Sequence, residues 1–239
     1  ASICDITAQD EFDLSRPGRE KCAFFCISSD QDSTFDFLSS LFFSFLFIKL
    51  VRYADAEGVD GKLPIGVNFV LDEFPNLGVI NDFKKKISTV RSRNIGISVI
   101  FQNIAQLKNR YPNDEYLEIL GNCDTQIALG CTDEVTARFI SNRTGEVTID
   151  VNSQSKQLYA MRMTDYTPEY RETNSVGRRK LMTADEVLRM PLDEALIILR
   201  GQNVFKVKKF DYTRHPESRK LKKCKAAAYI PDWRKEQAK

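Results

Sequence analysis

The segment Val67-Asn-Phe-Val-Leu-Asp72-Glu73 ends an apolar run abruptly in two carboxylates, and Phe74-Pro-Asn-Leu-Gly78 forms the turn that follows. Such a run reads as a buried strand of an α/β sheet, which opens onto solvent at its carboxyl end. The pattern is that of Walker B. In nucleotide-hydrolysing α/β domains the first carboxylate holds hydrated Mg²⁺ on the phosphates, and the second polarises the attacking water. Acidic turns after buried strands also occur in unrelated α/β proteins; Pro75 and Gly78 make this one rigid and specific in shape. A phosphate-cradling loop, G-x-x-x-x-G-K-[ST], occurs nowhere in the 239 residues. Either the chain is a fragment of an NTPase or it is not an NTPase.

The surrounding pattern supports alternating strands and helices. Residues 21–27 form a short Phe- and Cys-rich run that predicts a strand, and the polar residues 28–34 offer caps for a helix reaching to about Asp55. Residues 66–71 form the next strand. Helical spacing of Ile80, Phe83, Ile87 and Val90 fills residues 77–93, and residues 95–101 make a third strand. A helix joining two consecutive strands makes them parallel, with both carboxyl ends on one edge of the sheet. Residues 125–130 continue as a further strand, and 132–142 as a helix capped by Thr132-Asp133-Glu134. Residues 152–180 are polar with little periodicity, which predicts a functional or mobile loop. Thr183-Ala-Asp-Glu186 is a capping box, and residues 195–199 and 204–210 predict a hairpin whose Lys206, Lys208 and Lys209 suit an edge strand.

With 42% apolar residues the chain can bury a substantial core, and its net charge is only +2. The charge is uneven, because residues 214–239 carry nine Lys/Arg against three acidic residues. A solvated tail and an anionic partner both fit that asymmetry. Cys4, Cys22, Cys26, Cys123, Cys131 and Cys224 form no CxxC or paired cluster, which excludes a structural zinc site and predicts reduced, mostly buried thiols of a cytoplasmic protein. The apolar run at 35–48 is interrupted by Asp36, Ser39, Ser40 and Ser44 and is shorter than the span of about 20 residues a bilayer needs, so it reads as a core helix.

Ligands of open α/β sheets sit at the carboxyl ends of the strands. Asp72 and Glu73 end one strand and Gln102 ends the next. In adjacent strands, about 4.8 Å apart, Gln102 stands beside the carboxylates, where it senses a γ-phosphate or orients water; otherwise it merely caps a turn. Arg91 and Arg93 end the helix after Walker B. Each is either a dipole partner or a finger directed at a neighbouring subunit's nucleotide. With Lys84, Lys85 and Lys86 they form a basic cluster, open to reading as a solvated face or a nucleic-acid contact. His215 has no Asp or Cys arrangement about it, and Tyr229 and Trp233 read as tail-docking residues.

Together these motifs resemble the core of the type IV coupling proteins, the TraG/TraD family of conjugative ATPases. The most specific part is Asp72-Glu-Phe-Pro-Asn-Leu-Gly78 followed by Val90-Arg-Ser-Arg-Asn-Ile-Gly-Ile-Ser-Val-Ile-Phe-Gln102. Residues 29–38 resemble Gram-positive-type members. Residues 121–125, 129–133, 178–183 and 199–202 resemble the family's C-terminal half, so the likeness runs over roughly 20–220. It implies a partial RecA-like P-loop NTPase domain of α/β class, with a mainly parallel sheet, helices on both faces and a C-terminal hairpin. The implied organisation is a residual segment at 1–19 after an all-α insertion, the Walker B half of the nucleotide-binding domain at 20–212, and a basic tail at 213–239.

The resemblance also implies ATP and Mg²⁺ as ligands of the parent, Asp72 as metal ligand, Glu73 as water-activating carboxylate, Gln102 as the glutamine of the third motif and Arg91 as a finger in trans. The implied parent is a homo-hexamer at the cytoplasmic face of the cell membrane, anchored through an N-terminal segment absent from this chain. It delivers relaxase-bound single-stranded DNA to type IV secretion channel subunits. The fragment itself is expected to be soluble and inactive alone. Two other functions remain open: a RecA-like DNA translocase with another cargo, and a non-enzymatic module that docks secretion partners.

Overall fold

The structure is a computed structural model that describes residues 13–28, 33–157 and 169–223. Residues 1–12, the caps expected at 29–32, Cys4, Cys224, Tyr229 and Trp233 lie outside the described residues. The chain divides into two compact units, one formed by residues 1–123 with 210–239 and the other by residues 124–209.

The first unit is built around helix α1 (Asp36–Glu57) and the parallel strands β1 (Val67–Leu71) and β2 (Ile95–Val99), in register from Val67 opposite Ile95 to Leu71 opposite Val99. The crossover between them holds α2 (Phe83–Thr89) and a 3₁₀ turn, Val90–Arg93; after β2 come α3 (Ile104–Arg110) and α4 (Glu115–Gly121). The helix expected over 77–93 therefore starts later. Asp82 adopts φ +54 and breaks the chain before Phe83, a left-handed conformation that no helix can run through.

At 22 residues α1 is long and apolar enough to cross a membrane by length and composition. It is nevertheless core on one side, where Phe43, Leu46, Phe47, Leu50 and Ala54 are buried. Phe37, Leu41, Phe45 and Ile48 remain exposed. Phe47 stacks on Phe69 of β1 with ring centroids 4.2 Å apart. The aromatic contacts continue from Phe47 to Phe83 (6.3 Å), from Phe83 to Phe74 (4.6 Å) and from Phe74 to Tyr111 (5.2 Å, planes within 4°). Offset ring packing of this kind adds to simple area burial.

The second unit carries two antiparallel sheets. Strand β3 (Thr125–Ala128) pairs with β6 (Glu194–Leu199), which pairs with the edge strand β7 (Phe205–Lys208). The hairpin expected from the sequence is β6–β7. The strand expected at 125–130 exists, but its partner is the antiparallel β6 rather than a parallel neighbour. Helices α5 (Glu134–Thr144) and α6 (Ala184–Leu188) pack Ala137, Ile140 and Val187 against Leu196. Asp133 caps α5 by accepting from Thr136 N, and Glu186 closes the Thr183 capping box.

Three expectations are corrected. Residues 21–27 form no strand, and Phe25 and Ile27 are exposed, because no described strand pairs with them. Cys22 and Cys26 are exposed and Cys123 and Cys131 half-buried, so the thiols are not mostly buried. Much of 152–180 is a ribbon instead of a loop: β4 (Glu146–Gln157) and β5 (Glu169–Lys180) pair from Glu146 opposite Lys180 to Gln157 opposite Glu169. The α/β expectation is borne out.

Two stability outcomes follow from the aromatic chain. Phe74 is fully buried, so Phe74→Ala is expected to cost about 3–5 kcal/mol in chemical denaturation. The Tyr111 hydroxyl accepts from the Ile80 N–H at 3.3 Å, and burial pushes its pKa up to about 12 against the opposing effect of that bond. The folded state thus favours the protonated phenol. The resulting stability is fully present below pH 10 and is lost as pH rises from 10 towards 12. Tyr111→Phe orphans the Ile80 amide at a cost of about 1–3 kcal/mol near neutral pH; the gap to wild type is expected to close across that alkaline window.

Candidate active site

The parallel register puts the carboxyl ends of β1 and β2 side by side. Ile100 N donates to Leu71 O and Phe74 N donates to Ile100 O, each at 2.9 Å, so the ladder continues one step past the strands and pins the turn that carries Asp72 and Glu73. Buried Phe74 anchors that turn from below, while Asp72 and Glu73 remain exposed. Glu73 sits in the left-handed region at φ +48, ψ +41. For a glutamate this costs about 1–2 kcal/mol, and the turn holds it through Asn76 N donating to Glu73 O at 2.7 Å.

Both oxygens of the Glu73 carboxylate are engaged. Gln102 Nε2 donates to Oε1 at 3.0 Å and Asn76 Nδ2 donates to Oε2 at 2.7 Å. Asp72 Oδ1 accepts from Glu73 N at 3.0 Å. These residues line a shallow cleft of about 80 Å³ with Pro75, Ile100, Phe101 and Gln106. Asn103 caps α3 by accepting from Gln106 N at 2.8 Å and so fixes the chain just after Gln102. Sequence reasoning placed Gln102 beside Glu73 but missed Asn76; its position three residues after Glu73 in a tight turn was the available signal.

No lysine or arginine occurs among the cleft-lining residues. This edge offers carboxylates and amides but no cation for a phosphate. Among the described residues no cluster of three or more His, Cys, Asp or Glu could hold a metal. A single exposed carboxylate suits Mg²⁺, which keeps several waters and takes one or two carboxylates together with substrate phosphates.

Arg91 lies apart from this group. It is exposed in the 3₁₀ turn before β2, at the opposite end of a five-residue strand and about 16 Å from the catalytic edge at 3.3 Å per residue. It therefore does not serve the carboxylates of its own chain. The other members of the basic cluster are also engaged internally: Lys84 pairs with Glu115 and Glu118, Lys85 with Asp82, Arg93 with Asp55, and Lys86 donates to the Asn81 carbonyl. Such pairing favours a solvated helix face over a nucleic-acid contact. His215 accepts from Glu217 N at 3.2 Å as the cap of a 3₁₀ turn.

Residues 1–233 match the family described as Type IV secretory system Conjugative DNA transfer. Among curated relatives, VirD4 of Rhizobium rhizogenes is 24% identical over 217 residues, covering 91% of this chain and 31% of VirD4. The conjugal transfer protein TraG of Escherichia coli is 32% identical over 149 residues, 58% of this chain and 22% of TraG. The chain thus spans less than a third of these relatives. Solved structures of coupling proteins share the fold. The bacterial conjugative coupling protein TrwBdeltaN70, unbound, aligns with a TM-score of 0.52 at 16% identity, covering 75% of this chain and 38% of that one. The plasmid coupling protein TrwB in complex with ADP and Mg²⁺ aligns at 0.53 and 15% identity, covering 76% and 40%.

Because Glu73 occupies a backbone conformation that glycine adopts freely, Glu73→Gly relieves strain that offsets its own entropic cost of about 0.5–1 kcal/mol. Denaturation is expected to show no loss of stability, in contrast to the large loss for the adjacent Phe74→Ala.

Proposed function

Since the chain belongs to the Type IV secretory system Conjugative DNA transfer family, we propose that it is the Walker B half of a coupling ATPase. In the parent, ATP hydrolysis drives relaxase-bound single-stranded DNA into a type IV secretion channel from the cytoplasmic face of the membrane. The convergence of Asp72, Glu73 and Gln102 on one strand edge carries this reading, with Glu73 held by two amide donors. The fold shared with a coupling protein solved with ADP and Mg²⁺ supports it.

The chemistry assigned to each residue follows from its place. Asp72 would hold Mg²⁺, which supplies charge neutralisation to the phosphates when bound. Glu73 accepts a proton from the attacking water, and its two amide partners fix the direction in which it does so. The Gln102 amide, already directed at Glu73, orients that water relative to the γ-phosphate. Because the residues lining the cleft include no cation, the phosphates are held by a partner element beyond them. Arg91, on the far edge, completes the site of a neighbouring subunit in a homo-hexameric ring.

Two measurements on the intact coupling protein test this. Mg²⁺-dependent ATP hydrolysis, stimulated by single-stranded DNA, is expected to fall at least 100-fold in Glu73→Gln; equal background in both proteins overturns the ATPase reading. Arg91→Ala and Glu73→Gln are each expected to be inactive alone, whereas mixed rings recover part of the activity. In those rings, intact Arg91 of one subunit meets intact Glu73 of the next. Failure of co-assembled rings to complement removes Arg91 from the site.

A further inference from the structure

The turn that carries Glu73 is fastened from behind as well as from the cleft. At the end of α3, Arg110 Nε donates to the Pro75 carbonyl at 2.5 Å, and its Nη2 meets Asp36 Oδ2 in the first turn of α1 at 3.3 Å. One planar guanidinium thus joins two elements through donors fixed in a single plane, whereas a lysine ammonium offers rotatable donors on a flexible stem. Both side chains are sheltered, Arg110 at 31% exposure and Asp36 at 19%. The same two segments meet twice more. Ser40 Oγ donates to the Val79 carbonyl. Gly78, at φ +80, lies so close to α1 that a Cβ there would stand 2.8 Å from the Asp36 carbonyl oxygen.

We propose that Arg110 is a positioning residue for the catalytic turn, an inference that rests on reading Glu73 as the water-activating carboxylate. Pro75 lies two residues beyond Glu73, and Asn76, which holds Glu73 Oε2, comes next. A shift of the Pro75 carbonyl therefore moves both the base and its amide partner. Arg110 also closes a loop in the chain: Gln102 touches Glu73 from one end of α3 and Arg110 grips Pro75 from the other. Glu73 and Gln102 are held in mutual register by a single seven-residue helix. Through Asp36, the start of α1 joins the same assembly.

The test compares wild type with Arg110→Ala, Arg110→Lys and Asp36→Asn in the intact coupling protein, reading ATP turnover and amide hydrogen exchange side by side. Arg110→Ala is expected to lower kcat about 10- to 100-fold, the scale set by small misplacements of catalytic groups, with KM for ATP within about twofold. Exchange at the Asn76 and Leu77 amides, which bond to Glu73 O and Phe74 O, speeds up while that of buried Leu107 and Ile119 does not. Arg110→Lys recovers part of both effects, and Asp36→Asn falls between it and wild type. Unchanged kcat in Arg110→Ala overturns the positioning role, as does loss of protection throughout the core accompanied by a raised KM. The exchange reading needs no hydrolysis: an inactive wild type overturns the ATPase reading, while unchanged exchange at residues 76 and 77 overturns the fastening itself.

Discussion

Phe74 is the residue on which the candidate catalytic edge depends. It directly follows Glu73, is fully buried, and stacks on Tyr111 and against Phe83. The side chain is thus a peg driven into the core, and the strained, exposed Glu73 stands on its head. Strain in a turn persists only where its surroundings over-determine the backbone. Here the surroundings are the Phe74 ring below, the ladder bond from Phe74 N to Ile100 O beside it, and the Arg110 grip on Pro75 behind. A flexible acidic loop would leave the carboxylate wandering; this one fixes its origin while leaving its oxygens to polar partners.

On the proposed reading, the site is half of a reaction centre in chemical terms. It supplies acceptors that order water and a carboxylate suited to a hydrated divalent cation, and the residues lining it include no positive charge to hold the phosphates. A loose phosphoryl-transfer transition state needs charge neutralised from several directions. A second element must therefore face this edge before chemistry begins, and a third contribution is assigned to Arg91, which its own chain holds at the opposite end of β2. On the proposed reading, hydrolysis is conditional on assembly.

The parts legible in the sequence were those governed by local pattern. The apolar run into Asp72-Glu73, the helix of residues 36–57 and the second strand at 95–99 follow from periodicity and punctuation, and parallel pairing follows from the crossover. From these alone Gln102 falls beside Glu73. The misreadings each have a physical source. Residues 21–27 have strand composition, but a strand exists only with a partner, and composition does not report one. Val147, Ile149 and Val151 alternate with Thr148 and Asp150, but residues 152–155 are polar and exposed, so the continuation of the β4–β5 ribbon carries no period-two hydrophobic signal where neither face is buried. Arg110 was unreadable in principle: its partners lie 35 and 74 residues away, and nothing local distinguishes it from any helix-ending arginine.

The division of the chain into units bears on the order of synthesis. The unit that holds the candidate catalytic edge takes its residues from 1–123 and again from 210–239, whereas the antiparallel unit is the uninterrupted stretch 124–209. A ribosome working from the N-terminus therefore releases every residue of the antiparallel unit before the last residues of the catalytic one. Within the contiguous unit the hairpin between β6 and β7 is local and forms fast, whereas the pairing of β3 with β6 joins Thr125 to Leu199 and is long in sequence. A nascent chain stalled within residues 124–209 therefore carries Asp72, Glu73 and Gln102 already translated while residues 210–223, which belong to the same unit, are still to be made.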